Sequence, residues 1–303
     1  MESGRSTGGK EKIGVENGEK ICYNVKDIMV SMPRWGMQFG DDSMRDDRRR
    51  PPAPAPEENE GQIEGRNALT EALRSGRTID KVFIASGETD RGLQRLAAQA
   101  KEAGAVVVPV DRRKLDAMST SHSLQGVIAL VAAREYFSID DILEEAKSRG
   151  QEPLIVICDE LSDPHNLGAI LRSAECAGAH GVIIPKRRSV GLTAVVAKAS
   201  AGAVEYMKVA RVTNITAAIE ELKKKGVWIF GTAAEGSIPM YKADLKGAAA
   251  IVIGSEGDGM SRLVQKSCDV TVHIPMKGRI SSLNASAAAS ILLYEAVRQR
   301  LGE

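Results

Sequence analysis

From residue 153 to its end the chain alternates short apolar runs with amphipathic stretches. The runs at 154–158, 181–184, 204–209, 227–231, 249–253 and 270–274 are rich in Val, Ile and Ala. The runs at 154–158, 181–184 and 249–253 have no polar interruption, which suits strands buried on both faces. Between them, apolar residues recur at helical spacing over about 167–178, 192–201, 214–225 and 260–266, and a long final helix is expected over about 283–301. Strands alternating with helices predict an α/β fold with a mainly parallel, doubly wound sheet.

Residues 61–134 carry a second, smaller α/β pattern. Arg66-Asn67-Ala68-Leu69-Thr70-Glu71-Ala72-Leu73 has helical spacing, 81–85 reads as a strand, and 91–103 reads as a helix that Gly104 ends. The β-branched runs at 106–110 and 127–131 add two strands. Residues 135–152 form a linker, in which Ser138-Ile139-Asp140-Asp141 has the shape of a capping box with Asp in the place of Glu. A short helix should follow to about Ser148, ended by Gly150. Residues 1–60 differ from all of this. Arg48-Arg49-Arg50-Pro51-Pro52-Ala53-Pro54-Ala55-Pro56, followed by Glu57-Glu58-Asn59-Glu60, has too little apolar surface to pack and reads as a disordered low-complexity tail. Its basic run, 46–50, is either a solvated face or a contact for RNA.

Composition narrows the picture only slightly. At 303 residues the chain has room for about two domains, and 43% hydrophobic residues suffice for a core. The net charge of +1 neither points to nucleic acid nor excludes it, because a local basic patch acts independently of the total. Cys22, Cys158, Cys176 and Cys268 form no CxxC pair, and no His stands at metal-ligand spacing. They read as small core residues in a reducing compartment, with no metal. No apolar run approaches the ~18 residues of a membrane span, and the polar N-terminus lacks the apolar stretch of a signal peptide, so a cytoplasmic protein is expected.

Three segments carry candidate chemistry. The first, Leu161-Ser162-Asp163-Pro164-His165-Asn166-Leu167-Gly168-Ala169-Ile170-Leu171-Arg172-Ser173-Ala174, follows a strand directly. Open α/β sheets place ligand groups at such strand-to-helix turns. Asn166 lies near the helix start; Arg172 is either a functional group or simply the polar face of the helix. In the second, a buried strand ends in Gly254-Ser255-Glu256-Gly257-Asp258-Gly259. No Lys-Ser/Thr follows, which excludes a Walker A loop, and the spacing is not G-x-G-x-x-G, which argues against a nicotinamide oxidoreductase. Glu256 would repel a pyrophosphate and suits a cationic or hydroxyl-bearing ligand. The third, Ile274-Pro275-Met276-Lys277-Gly278-Arg279-Ile280-Ser281-Ser282-Leu283-Asn284-Ala285-Ser286, joins the last strand to the last helix. Ser281, Ser282 and Asn284 suit a simple helix cap, but the polar cluster is richer than a cap needs. The small residues over 285–290 permit close packing.

In order and separation, these segments resemble the three motifs of the SpoU/TrmH branch of the SPOUT methyltransferases, over about residues 153–300. Residues 65–131 resemble the small RNA-binding domain that precedes the catalytic domain in ribosomal-RNA members, through Gly65-Arg66-Asn67, Glu71-Ala72-Leu73 and His122…Gln125-Gly126-Val127. Here Ser123 and Leu124 separate His122 from Gln125, where relatives have them adjacent. The resemblance implies a SPOUT domain with a deep trefoil knot, in which 285–290 is the threaded segment, and a homodimer. It implies S-adenosylmethionine held by Thr232, Ala233, Gly254, Ser255, Glu256, Ile274 and Leu283, with the adenine against backbone at Ile274 and Leu283. It implies a catalytic set of Asn166, Arg172, Glu256, Ser282 and Asn284, and RNA contacts at Arg66, Asn67, His122 and Gln125. The expected reaction is methyl transfer to a ribose 2′-hydroxyl, with a guanosine of 23S rRNA as the first candidate. A tRNA substrate, or an inactive RNA-binding protein of the same fold, is the alternative.

Overall fold

The computed structural model describes residues 15–16, 19–20, 61–87, 90–119, 125–233 and 237–302. Of residues 1–53 the structure describes only an antiparallel pair of Val15–Glu16 with Glu19–Lys20. The expected tail otherwise lies outside the described residues, as does His122.

The smaller pattern folds as β1 (Gln62–Glu64), α1 (Arg66–Arg74), β2 (Ile79–Ala85), α2 (Arg91–Glu102), β3 (Val106–Val110), α3 (Arg112–Met118) and β4 (Val127–Val131). The sheet order is β1-β4-β2-β3; β4 runs antiparallel to β1 and β2, while β3 is parallel to β2. Leu69, Leu93, Leu96 and Ala100 cover one face, and Leu115 with Ile128 and Val110 fill the other. Gly104 leaves α2 at φ 90, as its position after the helix predicts. The spacing did not reveal β1 or α3. β1 has three residues, and α3 buries only Leu115 behind an exposed Arg112-Arg113-Lys114 turn, too little for a periodic signal.

The larger pattern begins at α4 (Ile139–Ser148). The Ser138 hydroxyl accepts the Asp141 N–H, and the Asp141 carboxylate accepts the Ser138 N–H, so the capping box forms with Asp in the Glu place. There follow β5 (Leu154–Cys158), α5 (Pro164–Cys176), β6 (Gly181–Pro185), α6 (Ala194–Ala199), β7 (Val209–Val212), α7 (Ile215–Lys224), β8 (Trp228–Thr232), β9 (Ile238–Pro239), β10 (Ala249–Ile253), α8 (Arg262–Ser267), β11 (Val270–His273) and α9 (Ala285–Leu301). The seven strands are all parallel, in the order β9-β11-β8-β10-β5-β6-β7. α5, α6 and α9 bury Leu167, Ile170, Leu171, Val196, Ala289 and Leu292 on one face. α4, α7 and α8 bury Ile142, Ile219, Leu222 and Val264 on the other. The central strands β5, β6 and β10 thus carry the unbroken apolar sequence that burial on both faces demands, while β7, β8 and β11 each include a polar residue. No described helix is long and apolar enough to cross a membrane.

One expected strand is absent. Residues 204–209 open instead with the 3₁₀ turn Ala203–Glu205, and β7 starts only at Val209. Ala201 and Gly202 reverse the chain at φ 49 and 90, and the buried Ser200 hydroxyl accepts the Val204 N–H at 3.3 Å. Val204 and Met207 are both buried three residues apart, a helical spacing that a mere count of apolar residues conceals.

A buried polar junction pins β2 to β7. The Asp80 carboxylate accepts Arg211 Nη1 at 2.6 Å and the Tyr136 hydroxyl at 2.9 Å, and Tyr136 Oη accepts the Leu192 N–H at 2.9 Å. The Asp80 and Arg211 side chains are only 5% and 7% exposed. Gly191 passes so close that a Cβ there would lie 2.1 Å from Asp80 Oδ2. Burial pushes the Asp80 carboxyl above its ordinary value against the pull of Arg211, and holds the Tyr136 hydroxyl protonated.

Candidate active site

Parallel register sets the C-terminal ends of four strands side by side. Cys158 of β5 pairs with Ile253 of β10, Gly231 of β8 with Val252, and Thr232 with Val272 of β11. The loops that leave these ends therefore share one edge of the sheet, where α/β proteins bind ligands.

Three of those loops are joined by one hydrogen-bonded cluster. Asn166, in the first turn of α5 behind the Asp163 cap, donates from Nδ2 to Glu256 Oε1 at 2.5 Å. Asn284 donates from Nδ2 both to Glu256 Oε1 and to Asn166 Oδ1, each at 2.9 Å. Its own Oδ1 caps α9 by accepting the N–H groups of Ser286 at 3.0 Å and Ala287 at 3.3 Å. Asn284 thus caps α9 with one end of its amide and joins the cluster with the other. By donor and acceptor inventory, Asn284 has both amide hydrogens committed, while one Asn166 N–H and Glu256 Oε2 have no partner among the described residues.

The glycine-rich loop presents Glu256 through a tight turn. Ser255 and Gly259 exchange backbone hydrogen bonds at 3.0 and 3.2 Å. A Cβ at Gly254 would lie 2.2 Å from the Gly259 carbonyl carbon, so that position admits only glycine. The sequence reading missed Asp159. This buried carboxylate accepts the Ser261 N–H at 2.8 Å and ties the end of β5 to the far side of the same loop. Its signal was an acid directly after a wholly apolar strand.

Two adjoining cavities flank the cluster. One, of about 370 Å³, is lined by Thr232, Ala233, Ile274, Met276, Leu283 and Leu292 among others. The second, of about 660 Å³, shares Thr232, Ala233, Ser282 and Leu283 and adds the 255–260 loop, Gln265 and Asn284. Both fall in the ~300–1,000 Å³ range of small-molecule sites. Met276 and residues 281–283, which line the slot, form no hydrogen bond with any described residue, so their amides and carbonyls are available there. An apolar slot edged by open backbone groups suits a heteroaromatic base, and the carboxylates of Glu256 and Asp258 in the neighbouring cavity suit a cation. The Thr232 hydroxyl is committed within the protein, donating to Val252 O at 2.9 Å. These residues fit the expected S-adenosylmethionine.

Other expected residues stand apart. Ser282 lines both cavities but joins no hydrogen bond of the cluster. Arg172 is exposed, lines neither cavity and has no hydrogen-bonded partner among the described residues. Six residues along a helix place it about 120° around α5 from Asn166. In the smaller sheet the structure does bring Arg66 and Gln125 together. The Arg66 N–H donates to Gln125 Oε1 at 3.1 Å, and Arg66 Nε to Gln125 O at 2.9 Å, while Nη1 pairs with Asp90. Asn67 beside them is exposed. Among the cysteines, burial pushes Cys158 up to about 12 and Cys268 up to about 11, which keeps both as thiols. Cys176, expected in the core, is exposed instead, on the outer face of the last turn of α5.

Comparison with known proteins bears on the whole of this region. Residues 153–294 match the SpoU rRNA Methylase family, and residues 62–137 match the RNA 2′-O ribose methyltransferase substrate binding family. YacO of Bacillus subtilis, named for the TrmH family of tRNA/rRNA methyltransferases, is 47% identical over 236 residues, spanning 78% of this chain and 94% of that one. A TrmH-family relative of Staphylococcus haemolyticus is 46% identical over 78% of this chain and 95% of its own. Among solved structures, the SpoU methyltransferase AviRb of Streptomyces viridochromogenes, in complex with AdoMet, matches with a TM-score of 0.51 and 26% identity, covering 80% of this chain and 91% of that one. An AdoMet-bound rRNA methyltransferase of Sinorhizobium meliloti gives 0.51 and 26%, over 79% and 87%.

Proposed function

The chain belongs to the SpoU/TrmH family of RNA methyltransferases, and from that premise we propose that it moves a methyl group from S-adenosylmethionine to the 2′-hydroxyl of a guanosine ribose in 23S rRNA. The observation that carries the reading is the Asn166–Glu256–Asn284 cluster beside two joined cavities. When bound, the cofactor supplies a methyl group on a sulfonium, already reactive, so the protein's work is orientation and electrostatics. Ile274 and Leu283 hold the adenine by backbone groups, Thr232 and Ala233 floor the slot, and the Gly254-Ser255-Glu256 turn closes its open side. Glu256 Oε2 and the remaining Asn166 N–H, with the Ser282 hydroxyl, fix the ribose. The ribose oxygen must lose a proton as it attacks. Arg172 is a poor base, because guanidinium stays protonated at any ordinary pH. Its exposed position suits a bidentate grip on the neighbouring RNA phosphate, and the proton leaves through that phosphate, water or the arginine itself.

Arg66, Asn67, His122 and Gln125 bind RNA in this reading, residues 61–134 act as the substrate-binding domain, and the enzyme is a cytoplasmic homodimer. The last domain, residues 153–303, is knotted, with the 285–290 segment threaded. The small residues of α9 accord with that, since they let the Ser290 hydroxyl reach Ser173 Oγ of α5 at 2.7 Å. A tRNA substrate is the second reading, favoured by the tRNA/rRNA naming of the relatives.

The test is a 2′-O-methylation map of ribosomal and transfer RNA from cells with and without the gene, read by resistance to alkaline cleavage. Loss of one large-subunit mark is expected. A lost transfer-RNA mark instead would move the substrate, and an unchanged map would overturn the assignment of activity.

A further inference from the structure

We infer that the turn Lys186-Arg187-Arg188 is a phosphate-binding bridge that carries the RNA backbone from the smaller sheet to the methyl-transfer site. The inference rests on the RNA reading above and adds a contact that neither the motifs nor the family resemblance contains.

Sheet order supplies the geography. The smaller sheet is fastened to β7 through Asp80 and Arg211, and β7 is the edge strand. The transfer site begins at the end of β5. Between them stands one strand, β6, and neighbouring strands lie about 4.8 Å apart. The C-terminal end of β6 lies between the fastened smaller sheet and the transfer site, and there the chain sets three consecutive basic residues.

The turn is braced from both sides. On one side Lys186 N–H donates to Val212 O at 2.8 Å, and Lys186 Nζ lies 3.9 Å from the Cβ position of Gly104 in the smaller sheet's α2 turn. On the other, Arg188 pairs with Glu160 at 2.8 Å, while the Ser189 hydroxyl and the Val190 N–H both donate to Leu161 O at 3.0 Å. Arg187 stands between these anchors, exposed and without a hydrogen-bonded partner among the described residues. A guanidinium on a fixed turn loses little freedom on gripping a phosphate, and its planar fork matches two phosphate oxygens. The acids on this edge compete weakly, because Glu160 is engaged by Arg188 and Glu256 by two amides.

The test uses the full chain and a fluorescein-labelled, mixed-sequence single-stranded RNA of about 30 nucleotides, with anisotropy titrations from 50 to 200 mM KCl. Lys186→Ala with Arg187→Ala removes the bridge. Lys224→Ala with Lys246→Ala removes the same charge at the opposite edge, where the chain enters β8 and β10. Calorimetry with S-adenosylmethionine accompanies each variant. The bridge pair is expected to weaken RNA binding about tenfold and to flatten the log–log salt slope by about 1.4, from two phosphates at about 0.7 each on single strands. The control pair should leave both within about twofold. Equal losses from the two pairs, or no loss from the bridge pair, would overturn the inference. Wild-type chain that binds the cofactor but not the RNA would bring down the RNA reading itself, and the bridge with it. Should the double variant lose cofactor binding, Arg187→Ala alone, which removes no hydrogen bond, decides the matter by the same slope.

Discussion

Asn284 does two jobs with two ends of one side chain, and the two can be separated. Asn284→Ser keeps a capping oxygen for α9, since Ser is a good N-cap, but removes the amide that reaches Glu256 and Asn166. Thermal unfolding should show a stability within about 1 kcal/mol of the wild type, while methyl transfer falls at least ~100-fold. A parallel fall of both would mean the residue is only a cap. His180 makes a separate, pH-dependent prediction. Its ring is buried, Nδ1 accepts the Leu154 N–H at 3.0 Å, and Nε2 lies 3.0 Å from Gln151 Oε1. Burial, with Arg149 and Arg300 nearby, depresses it to about 4. The unfolded chain takes up this proton near 6.5, the folded chain only near 4. Stability is therefore full above about 6.5 and is lost progressively as pH falls through that window, by up to roughly 3 kcal/mol. Urea midpoints between pH 4 and 7 should show the slope, and His180→Gln should flatten it. At this scale the sequence named Asn166, Glu256 and Asn284 as candidates, but their mutual contact comes from strand register. Arg172 shows the limit: spacing leaves it either a functional group or the polar face of its helix, and in the structure it is exposed and lines neither cavity.

At the scale of elements, the glycine-rich turn is the most constrained piece. Gly254→Ala places a methyl against the Gly259 backbone, so the turn must open and Glu256 must move. S-adenosylmethionine affinity by calorimetry should weaken at least ~10-fold with the fold retained; unchanged affinity would show that this turn does not shape the cavity. The central strands β5, β6 and β10 were legible because burial on both faces writes an unbroken apolar run, and helices were bounded because Gly104 and Gly150 stop them where expected. The 204–209 stretch misled because its apolar residues belong to a 3₁₀ turn folded back by Ala201 and Gly202. Short elements such as β1 and α3 bury too few side chains to leave a period.

For the whole molecule, the Asp80–Tyr136–Arg211 junction decides whether the smaller sheet stays fastened to the larger one. Removing one partner strands a buried charge, at a cost of roughly 3–5 kcal/mol. Asp80→Ala should lower the urea midpoint accordingly and enlarge the radius of gyration in small-angle scattering. A variant that loses stability but keeps its radius would show that other contacts alone set the arrangement. Nothing in the sequence marked this junction. Asp80 looked like an ordinary polar residue beside a strand, and only the close pass of Gly191 makes room for it.

The cluster at the site also carries a consequence for the order of events in synthesis. Asn166 and Asn284 are 118 residues apart, and every strand whose end forms the cavity floor lies between or just before them. Contacts of such long sequence separation close late in folding. As the chain emerges from N- to C-terminus, Asn166 and Glu256 wait for α9 and its cap before the cluster can form. The smaller sheet, built wholly from residues 62–131, is complete long before. A growing chain therefore acquires the means to hold RNA well before it acquires the means to modify it.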